Sequence, residues 1–175
     1  EEDPIWRVIL EDEPEKFPLI FGVPVKYTLR YGKIYATSKK FEAAATWLPY
    51  PYTDVSVWRY IRSGSLPIAM KLGRKIGKKI YEAFNQIEKD KEERMTMPYA
   101  YLYVLGVHPD HQGKGLGTKL VKGMIEALPP NIPLYLETET EYNVRFYERL
   151  GFEVVKKVHI ESIDLPLWEM LHPGK

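Results

Sequence analysis

Residues 107–118 read VHPDHQGKGLGT, and this stretch decides which fold the rest of the chain is expected to adopt. The residues before it, 99–107, are apolar or aromatic on both faces, which predicts a central buried strand. Residues 113–128 show an apolar stripe at helical spacing, which predicts an amphipathic helix that Pro129 and Pro130 end. The sequence therefore predicts a buried strand, a polar turn and a helix that opens with glycines.

The predicted turn is suited to an anion. Gly113, Gly115 and Gly117 stand at alternate positions at the start of the helix. Amide N–H groups in the loop and first helical turn have no partner within the helix, and the helix dipole adds partial positive charge there. Glycine lets an anion approach those amides, and Lys114 adds a full charge. We therefore expect a phosphate or pyrophosphate group at residues 112–118.

Two familiar phosphate loops do not fit this sequence. A Walker A loop needs Gly-x-x-x-x-Gly-Lys followed by Ser or Thr, and the chain has no such segment. A dinucleotide-binding Gly-x-Gly-x-x-Gly that starts at Gly113 needs its third glycine where Thr118 stands. The pattern that remains is Gln-x-x-Gly-x-Gly after a strand, formed by Gln112, Gly115 and Gly117.

The composition is that of one ordinary folded domain. The chain has 175 residues, of which 45% are apolar and 28% charged, and its formal net charge is +1. It has no cysteine, which excludes a disulfide framework, a thiolate zinc site and a cysteine nucleophile. The longest apolar run, residues 100–107, is too short to span a bilayer, and residues 1–4 do not resemble a signal peptide. We expect a soluble, cytoplasmic chain with no general attraction to nucleic acid or membranes.

The other segments alternate between helical and strand patterns. In the first half we predict a short helix over 11–21, strands over 26–31, 34–38 and 42–48, and a short helix capped by Asp54 and ended by Gly64. A long helix follows over 67–94, with an apolar stripe spaced by three and four residues. The second half adds strands over 134–138, 152–160 and 165–171, and a helix over 142–150 that Gly151 closes. This order predicts a mixed α/β fold.

Two groupings of charged or titratable residues have competing interpretations. The outer side of the long helix is basic, which favours a solvated face, with attraction of an anionic ligand or of nucleic acid as the alternative. Its members are Lys71, Arg74, Lys75, Lys78 and Lys79. His108 and His111 have a spacing that could bind metal, but they lack a third nearby ligand, so we predict a structural role and no metal.

From residue 102 to residue 152 the sequence resembles the GNAT superfamily of N-acetyltransferases. Residues 106–117 resemble most the branch that contains puromycin N-acetyltransferase, and a second family motif is present at 136–138 and 143–152. The resemblance implies a GNAT-like α/β fold: a mixed, mostly antiparallel central sheet flanked by helices, with a bulged central strand. It also implies one domain over 1–175, whose first strand and part of whose first helix precede residue 1, because in such enzymes they come before the Asp-Pro found here at Asp3.

The ligand that the resemblance implies is acetyl-CoA, as a co-substrate. Its pyrophosphate is expected on Gln112, Gly113, Lys114, Gly115, Leu116, Gly117 and Thr118. Its pantetheine arm is expected along Leu105, Gly106 and Val107, with the N–H near Val107 facing the thioester oxygen. Gly106 is expected to mark the bulge or a close backbone approach, with a simple adjustment of strand twist as the alternative. Further contacts are expected from Asn143, Phe146, Tyr147 and Arg149, although an exposed arginine on a helix is the simpler interpretation of Arg149.

The implied chemistry is direct attack of an amine on the thioester in a ternary complex. The attacking amine needs a base, and the residues do not identify it: Glu137 is the first candidate, Glu42 the second, and a salt bridge is the alternative for either. By resemblance Tyr147 is the general acid, and we expect it to act mainly by hydrogen bonding to the leaving thiolate. A non-catalytic acyl-CoA-binding regulator is the alternative function.

The acceptor cannot be read from the sequence. A small-molecule amine or a peptide amine is expected, and antibiotics, polyamines, amino acids and protein amines all stay open. We predict no nucleic-acid or membrane partner, and a homodimer is compatible with the sequence.

Overall fold

A computed structural model describes residues 3–175 of the chain. Its centre is a six-stranded sheet in the order β1-β2-β3-β4-β6-β5. The strands are β1 (Lys33–Ala36), β2 (Ala43–Pro49), β3 (Ala100–Val107), β4 (Leu134–Thr138), β5 (Glu153–Ile160) and β6 (Leu165–His172). Neighbouring strands are antiparallel except β3 and β4, which are parallel. The predicted mixed, mostly antiparallel sheet is therefore confirmed.

Seven α-helices flank this sheet in the described part of the chain. They are α1 (Pro4–Ile9), α2 (Phe17–Ile20), α3 (Gly22–Tyr31), α4 (Val57–Arg62), α5 (Leu66–Arg94), α6 (Leu116–Ala127) and α7 (Glu141–Glu148). One core cluster joins the sheet to α6 and α7, and a second joins α1 and α5 to β5 and β6. A third, rich in tyrosine, joins α3 to β2, β3 and β4. None of the helices among residues 3–175 combines the length and apolar character needed to cross a membrane.

The central strand β3 is bulged, as expected, but not at the predicted residue. In the β2–β3 pair Thr46 lies opposite Val104 and Trp47 opposite Leu102, so Tyr103 is the extra residue. Gly106 lies in regular register opposite Ala44. The expectation that Gly106 marks the bulge is therefore wrong, and its missing side chain leaves open space instead, because an added Cβ would meet no atom within 4 Å.

The predicted strand over 26–31 is wrong, since these residues belong to helix α3. Alternating β-formers suggested a strand, but the buried residues Pro24, Tyr27 and Thr28 follow helical spacing. Tyr27 is completely buried, and its ring contacts those of Tyr31 and Tyr60. Packing of this helical stripe on the sheet outweighs the local preference for a strand.

Two other predictions in the first half need correction. The expected helix over 11–21 is reduced to a 3₁₀ turn at Pro14–Lys16 and the four-residue α2. Ser56, not Asp54, caps α4, because its hydroxyl accepts the N–H of Arg59, whereas the Asp54 carboxylate pairs with the Arg59 guanidinium. The later predicted elements agree with the structure within a few residues, and β4 agrees at both ends.

Helix α5 packs against α1, β5 and β6 through an apolar stripe. Leu72, Ile76 and Ile87 of the predicted stripe are buried. The helix is interrupted at Gly73, whose φ of 85° lies in the left-handed region. The Leu72 carbonyl beside this break accepts a hydrogen bond from the Lys16 ammonium at 3.0 Å. The Leu72 carbonyl at the break is therefore hydrogen-bonded to Lys16, and the helix continues to Arg94.

We predict that Gly32→Ala and Gly77→Ala change stability in opposite directions. A Cβ on Gly32 would be driven against the carbonyl oxygen of Trp47 and lie 2.9 Å from Leu48 Cδ2, so this variant should lose about 1–3 kcal/mol of unfolding free energy. Gly77 lies on α5 with nothing within 4 Å of an added Cβ, so alanine there should gain about 0.5–1 kcal/mol. Urea denaturation of both variants measures this, and equal midpoints would contradict it.

Candidate active site

Strands β3 and β4 separate soon after they begin. Their parallel pairing is limited to Ala100 with Leu134 and Tyr101 with Tyr135. Strand β3 remains paired with β2 up to Val107, while β4 remains paired with β6 up to Thr138. A gap therefore opens between β3 and β4. Residues 102–107 form the β3 edge of this gap, and no other strand of residues 3–175 pairs with that edge. An extended ligand can add to such an edge through backbone hydrogen bonds.

The loop after β3 presents a row of free amides. Gly113 and Gly115 have φ of 72° and 73°, the left-handed region that favours glycine. Gly115 caps α6 without any side-chain hydrogen bond. Within the described chain, no acceptor is found for the backbone N–H groups of residues 113–118. A Cβ on Gly113 or Gly115 would meet no protein atom within 4 Å, so both glycines border open space.

The gap and the loop meet at the first turn of α6. A Cβ on Gly117 would lie 3.5 Å from the Phe146 ring, 3.6 Å from Val107 and 3.9 Å from Leu105. The structure therefore brings residues of the predicted strand, of the loop and of α7 together at this turn. Leu116 packs against the core, which leaves its backbone N–H rather than its side chain for a ligand.

The polar side chains of the loop are held by its own backbone. The Lys114 ammonium donates to the Asp110 carbonyl at 2.8 Å and lies 3.5 Å from His111 Nδ1. The Gln112 side-chain amide lies 3.5 Å from the carbonyl of Val107. His108 Nδ1 accepts the backbone N–H of Asp110 at 3.3 Å. This hydrogen bond agrees with the structural role predicted for His108.

Helix α7 brings Tyr147 to the same face of the sheet as the loop. Thr140 caps the helix by accepting the N–H of Asn143 at 3.2 Å. Tyr147 is 8% exposed and packs against the rings of Phe146 and Phe152. Burial, and then the charge of Glu139, raise the pKa of its hydroxyl well above the ordinary value. Asn143 and Phe146 are half-buried beside it, while Arg149 is exposed.

Glu137 lies on the opposite face of the sheet from Tyr147, in the tyrosine-rich layer under α5. The Tyr101 hydroxyl donates to Glu137 Oε2 at 2.6 Å. The other oxygen, Oε1, is buried and has no hydrogen-bond partner among the described residues. Burial raises the pKa of this carboxyl, and the Lys91 ammonium and the Tyr101 hydrogen bond partly oppose that rise. The Tyr135 hydroxyl is also buried without a hydrogen-bond partner among the described residues, and it lies close enough to Glu137 to lower the pKa of the carboxyl.

Glu42, the second candidate base, is engaged elsewhere. Its Oε2 accepts hydrogen bonds from the Ser38 hydroxyl at 2.6 Å and the Thr37 hydroxyl at 3.2 Å. The hydrogen bond from Ser38 is the largest cause of a lowered pKa for this carboxyl. A carboxylate that is stabilised in this way is a weaker base, so the geometry favours Glu137.

Glu139 is an acidic residue near Tyr147 that was not predicted from the sequence. Burial, and then the negative charge of Asp3, raise the pKa of Glu139 to about 8. Glu139 in turn acts on the hydroxyl of Tyr147. The signal in the sequence was its position directly after β4 and one residue before the Thr140 cap of α7. Asp3 caps α1 by accepting the Trp6 N–H at 3.3 Å.

A family model matches the part of the chain that forms this geometry. Residues 75–154 match the model described as acetyltransferase (GNAT) domain. This range contains β3, the loop at 112–118, α6, β4 and α7. The match therefore covers the residues that form both sides of the gap.

Several curated relatives that match are mycothiol acetyltransferases. The protein from Propionibacterium freudenreichii is 45% identical over 62 residues, which are 33% of this chain and 20% of that relative. The protein from Mycobacterium leprae is 42% identical over 60 residues, 29% of this chain and 19% of the relative. The aligned part of the chain spans about a fifth of the length of these relatives.

Solved structures with the same fold are also acetyltransferases. A Corynebacterium glutamicum chain described as a histone acetyltransferase and related acetyltransferase aligns with a TM-score of 0.60 and 19% identity, over 92% of this chain and 75% of its own. An Escherichia coli alanine N-acetyltransferase of a ribosomal protein aligns with a TM-score of 0.51 and 15% identity, over 90% and 87%. At sequence identities this low, the structural similarity shows a shared fold and nothing more.

We predict that Gly115→Ala weakens binding of coenzyme A by about tenfold, a loss of about 1.4 kcal/mol. The left-handed φ of 73° disfavours alanine, and the new Cβ points into the open space in front of the free amides. Gly123→Ala is the matched control, since Gly123 lies on the same helix with nothing within 4 Å of an added Cβ. Calorimetry measures both variants, and equal affinities would place the anion elsewhere.

Proposed function

We propose that this chain, which carries a GNAT acetyltransferase domain, is an N-acetyltransferase that moves the acetyl group of acetyl-CoA directly to an amine. The observation that carries the proposal is the gap between β3 and β4, which opens beside a loop of unpaired amides. The free amides fit a diphosphate, and the unpaired strand edge fits an arm that carries amide groups. Acetyl-CoA has both features in one molecule.

Backbone groups at the end of β3 are proposed to hold the thioester. With the pantetheine arm along Leu105, Gly106 and Val107, an N–H near Val107 faces the carbonyl oxygen of the acetyl group. Negative charge develops on that oxygen when the amine attacks, and one well-placed donor is typically worth about 10²–10³ in rate. The lack of a side chain on Gly106 leaves room for the arm.

Glu137 is proposed to receive the proton of the attacking amine. An alkylamine with a pKa near 10.4 is neutral in about one molecule of a few thousand at pH 7, a handicap of about 4–5 kcal/mol. Oε1 of Glu137 is buried without a hydrogen-bond partner among the described residues, and Oε2 accepts a hydrogen bond from Tyr101. A desolvated carboxylate with a raised pKa is a stronger base than one in water.

Tyr147 is proposed to stabilise the leaving thiolate from the other face. Tyrosine is already a weaker acid than a thiol, and the raised pKa of Tyr147 makes complete proton transfer to the thiolate still less favourable. A hydrogen bond to the developing negative charge requires no transfer. Tyr147 therefore acts by donating a hydrogen bond, with Asn143 and Phe146 lining the same side of α7 and Arg149 reaching a phosphate of the coenzyme.

The acceptor is proposed to be an amine of a small molecule or peptide. The matched relatives are named for mycothiol, but the aligned residues cover only about a fifth of their length. The resemblance to the puromycin N-acetyltransferase branch rests on residues 106–117, which belong to the acetyl-CoA side. A panel of amines, assayed for release of free coenzyme A from acetyl-CoA, tests the activity and identifies the acceptor class. Absence of release with every amine, despite tight binding of acetyl-CoA, would contradict catalysis.

We predict that Tyr147→Phe lowers kcat by about 10²-fold, because the leaving thiolate loses its hydrogen-bond donor. Its affinity for acetyl-CoA should stay within about twofold, since the ring packing with Phe146 and Phe152 is kept. Tyr142→Phe is the matched control on the same helix, where the side chain is 64% exposed. Full activity in Tyr147→Phe would assign the hydrogen-bond donor for the thiolate to another residue.

We predict that Glu137→Gln lowers kcat/KM for the acceptor by about 10²–10⁴-fold, because glutamine cannot take the amine proton. Glu42→Gln should keep nearly full activity, since the Glu42 carboxylate is bound by Ser38 and Thr37. Initial rates at saturating acetyl-CoA compare the two variants. The reverse order of effects would assign the base to Glu42.

A further inference from the structure

The buried lysine of α5 has no role in the mechanism described so far. Lys91 is 1% exposed, although it lies only three residues before the end of a surface helix. Its ammonium lies 2.6 Å from Glu88 Oε1 and 3.5 Å from the carbonyl of Thr53. Removing an ammonium from water is strongly unfavourable without compensating partners, so this position calls for a physical reason.

The ammonium also lies over an aromatic ring. Its nitrogen is 4.5 Å from the centroid of the Tyr101 ring, within the range of a cation–π contact. The hydroxyl of that same ring donates to Glu137 Oε2 at 2.6 Å. A chain of contacts thus runs from Glu88 through Lys91 and Tyr101 to Glu137.

We propose that Lys91 is a positioning residue whose buried ammonium, anchored by Glu88 and seated on Tyr101, keeps the carboxyl group of Glu137 ionised at the gap. The proposal rests on the proposed function, in which that carboxylate receives the amine proton. Lys91 itself touches neither the acceptor nor acetyl-CoA. It supplies the positive charge that a desolvated carboxylate needs, while Glu137 Oε1 is left free.

Charge and polarity around Glu137 come from each element that packs against it. The groups are Tyr101 on β3, Tyr135 on β4, Lys91 and Glu88 on α5, Glu169 on β6 with its partner Arg94, and Tyr99 and Glu139 at the strand ends. Among them, Lys91 and Glu88 act on Glu137 in opposite senses. The ammonium lowers the pKa of Glu137, whereas the second carboxylate raises it.

Lys91 is itself held in the charged form. Burial alone would lower the pKa of its ammonium, but the carboxylates of Glu137 and Glu88 outweigh burial and raise it. Because the Lys91 ammonium stays charged over the range in which Glu137 titrates, its positive charge acts on Glu137 throughout that titration. Below the pKa of Glu137 the base is neutral and cannot accept a proton, so that pKa sets the acid limb of the acceptor reaction.

The test measures the titration of Glu137 directly. Protein labelled with carbon-13 glutamate is titrated by NMR, and the Glu137 carboxyl signal is assigned by its loss in Glu137→Gln. In Lys91→Met we expect the midpoint to rise by about one pH unit or more, because the opposite charge is gone. In Glu88→Gln we expect a fall, because a like charge is gone. The exposed Lys78→Met is the control, and Lys91→Arg should restore the parent midpoint.

Opposite shifts in the two variants separate this assignment from a purely structural role. The acid limb of the kcat/KM profile should move with each midpoint, while affinity for acetyl-CoA stays unchanged. If Lys91→Met does not fold, Glu88→Gln decides, because Glu88 is partly exposed and its loss should still move the midpoint down. Unchanged midpoints overturn the proposal. If the midpoints shift as expected but the chain acetylates no amine, the role of Lys91 is supported and the proposed function is contradicted.

Discussion

The site depends on one constraint: strands β3 and β4 are hydrogen-bonded only at their first two residue pairs. After Tyr101, β3 follows β2 and β4 follows β6. The extra residue at Tyr103 contributes to this separation, because a bulge bends its strand and increases its twist. The gap is bounded at its far end by the first turn of α6, where Gly117 approaches Leu105 and Val107. Without this divergence the backbone edge of β3 would be satisfied within the sheet and unable to bind a ligand.

The gap also connects two faces of the sheet with different chemistry. The face under α6 and α7 is apolar and contains Tyr147, the proposed donor to the thiolate. The face under α3 and α5 contains the tyrosine-rich cluster with Tyr101, and Glu137 is buried beside it. Alternation along β4 produces this separation, since Leu136 and Glu137 point to opposite sides. A thioester placed in the gap would meet its base from one side and its hydrogen-bond donor from the other.

Most of the second half of the fold was predictable from the sequence, and much of the first half was not. The apolar stripe of α6 and the extent of β4 are clear from the sequence, and packing on both sides of the sheet reinforces both. In α3, by contrast, Tyr27 and Thr28 have strand preference, and only their contacts with β2 and α4 make the helix favourable. Tyr103 could not be predicted as the bulge, because an extra residue is defined by register against Thr46 and Trp47 rather than by composition. The influence of Glu139 on Tyr147 likewise depends on a turn whose path only the fold determines.

A comparison within α5 shows why Glu137 differs from an ordinary buried acid. Arg94 and Lys91 are three residues apart on the helix, and Glu169 and Glu137 lie opposite each other on β6 and β4. Arg94 binds Glu169 directly, a pairing that satisfies both charges and leaves a structural ion pair. Lys91 instead pairs with Glu88 and lies over the Tyr101 ring, and among the described residues Glu137 Oε1 has no hydrogen-bond partner. If burial of the acid served stability alone, a direct pair like that of Glu169 would be the better arrangement, because an unpaired buried oxygen is destabilising. In the proposed mechanism this indirect contact keeps the charge on Glu137 and leaves its Oε1 atom available to the attacking amine.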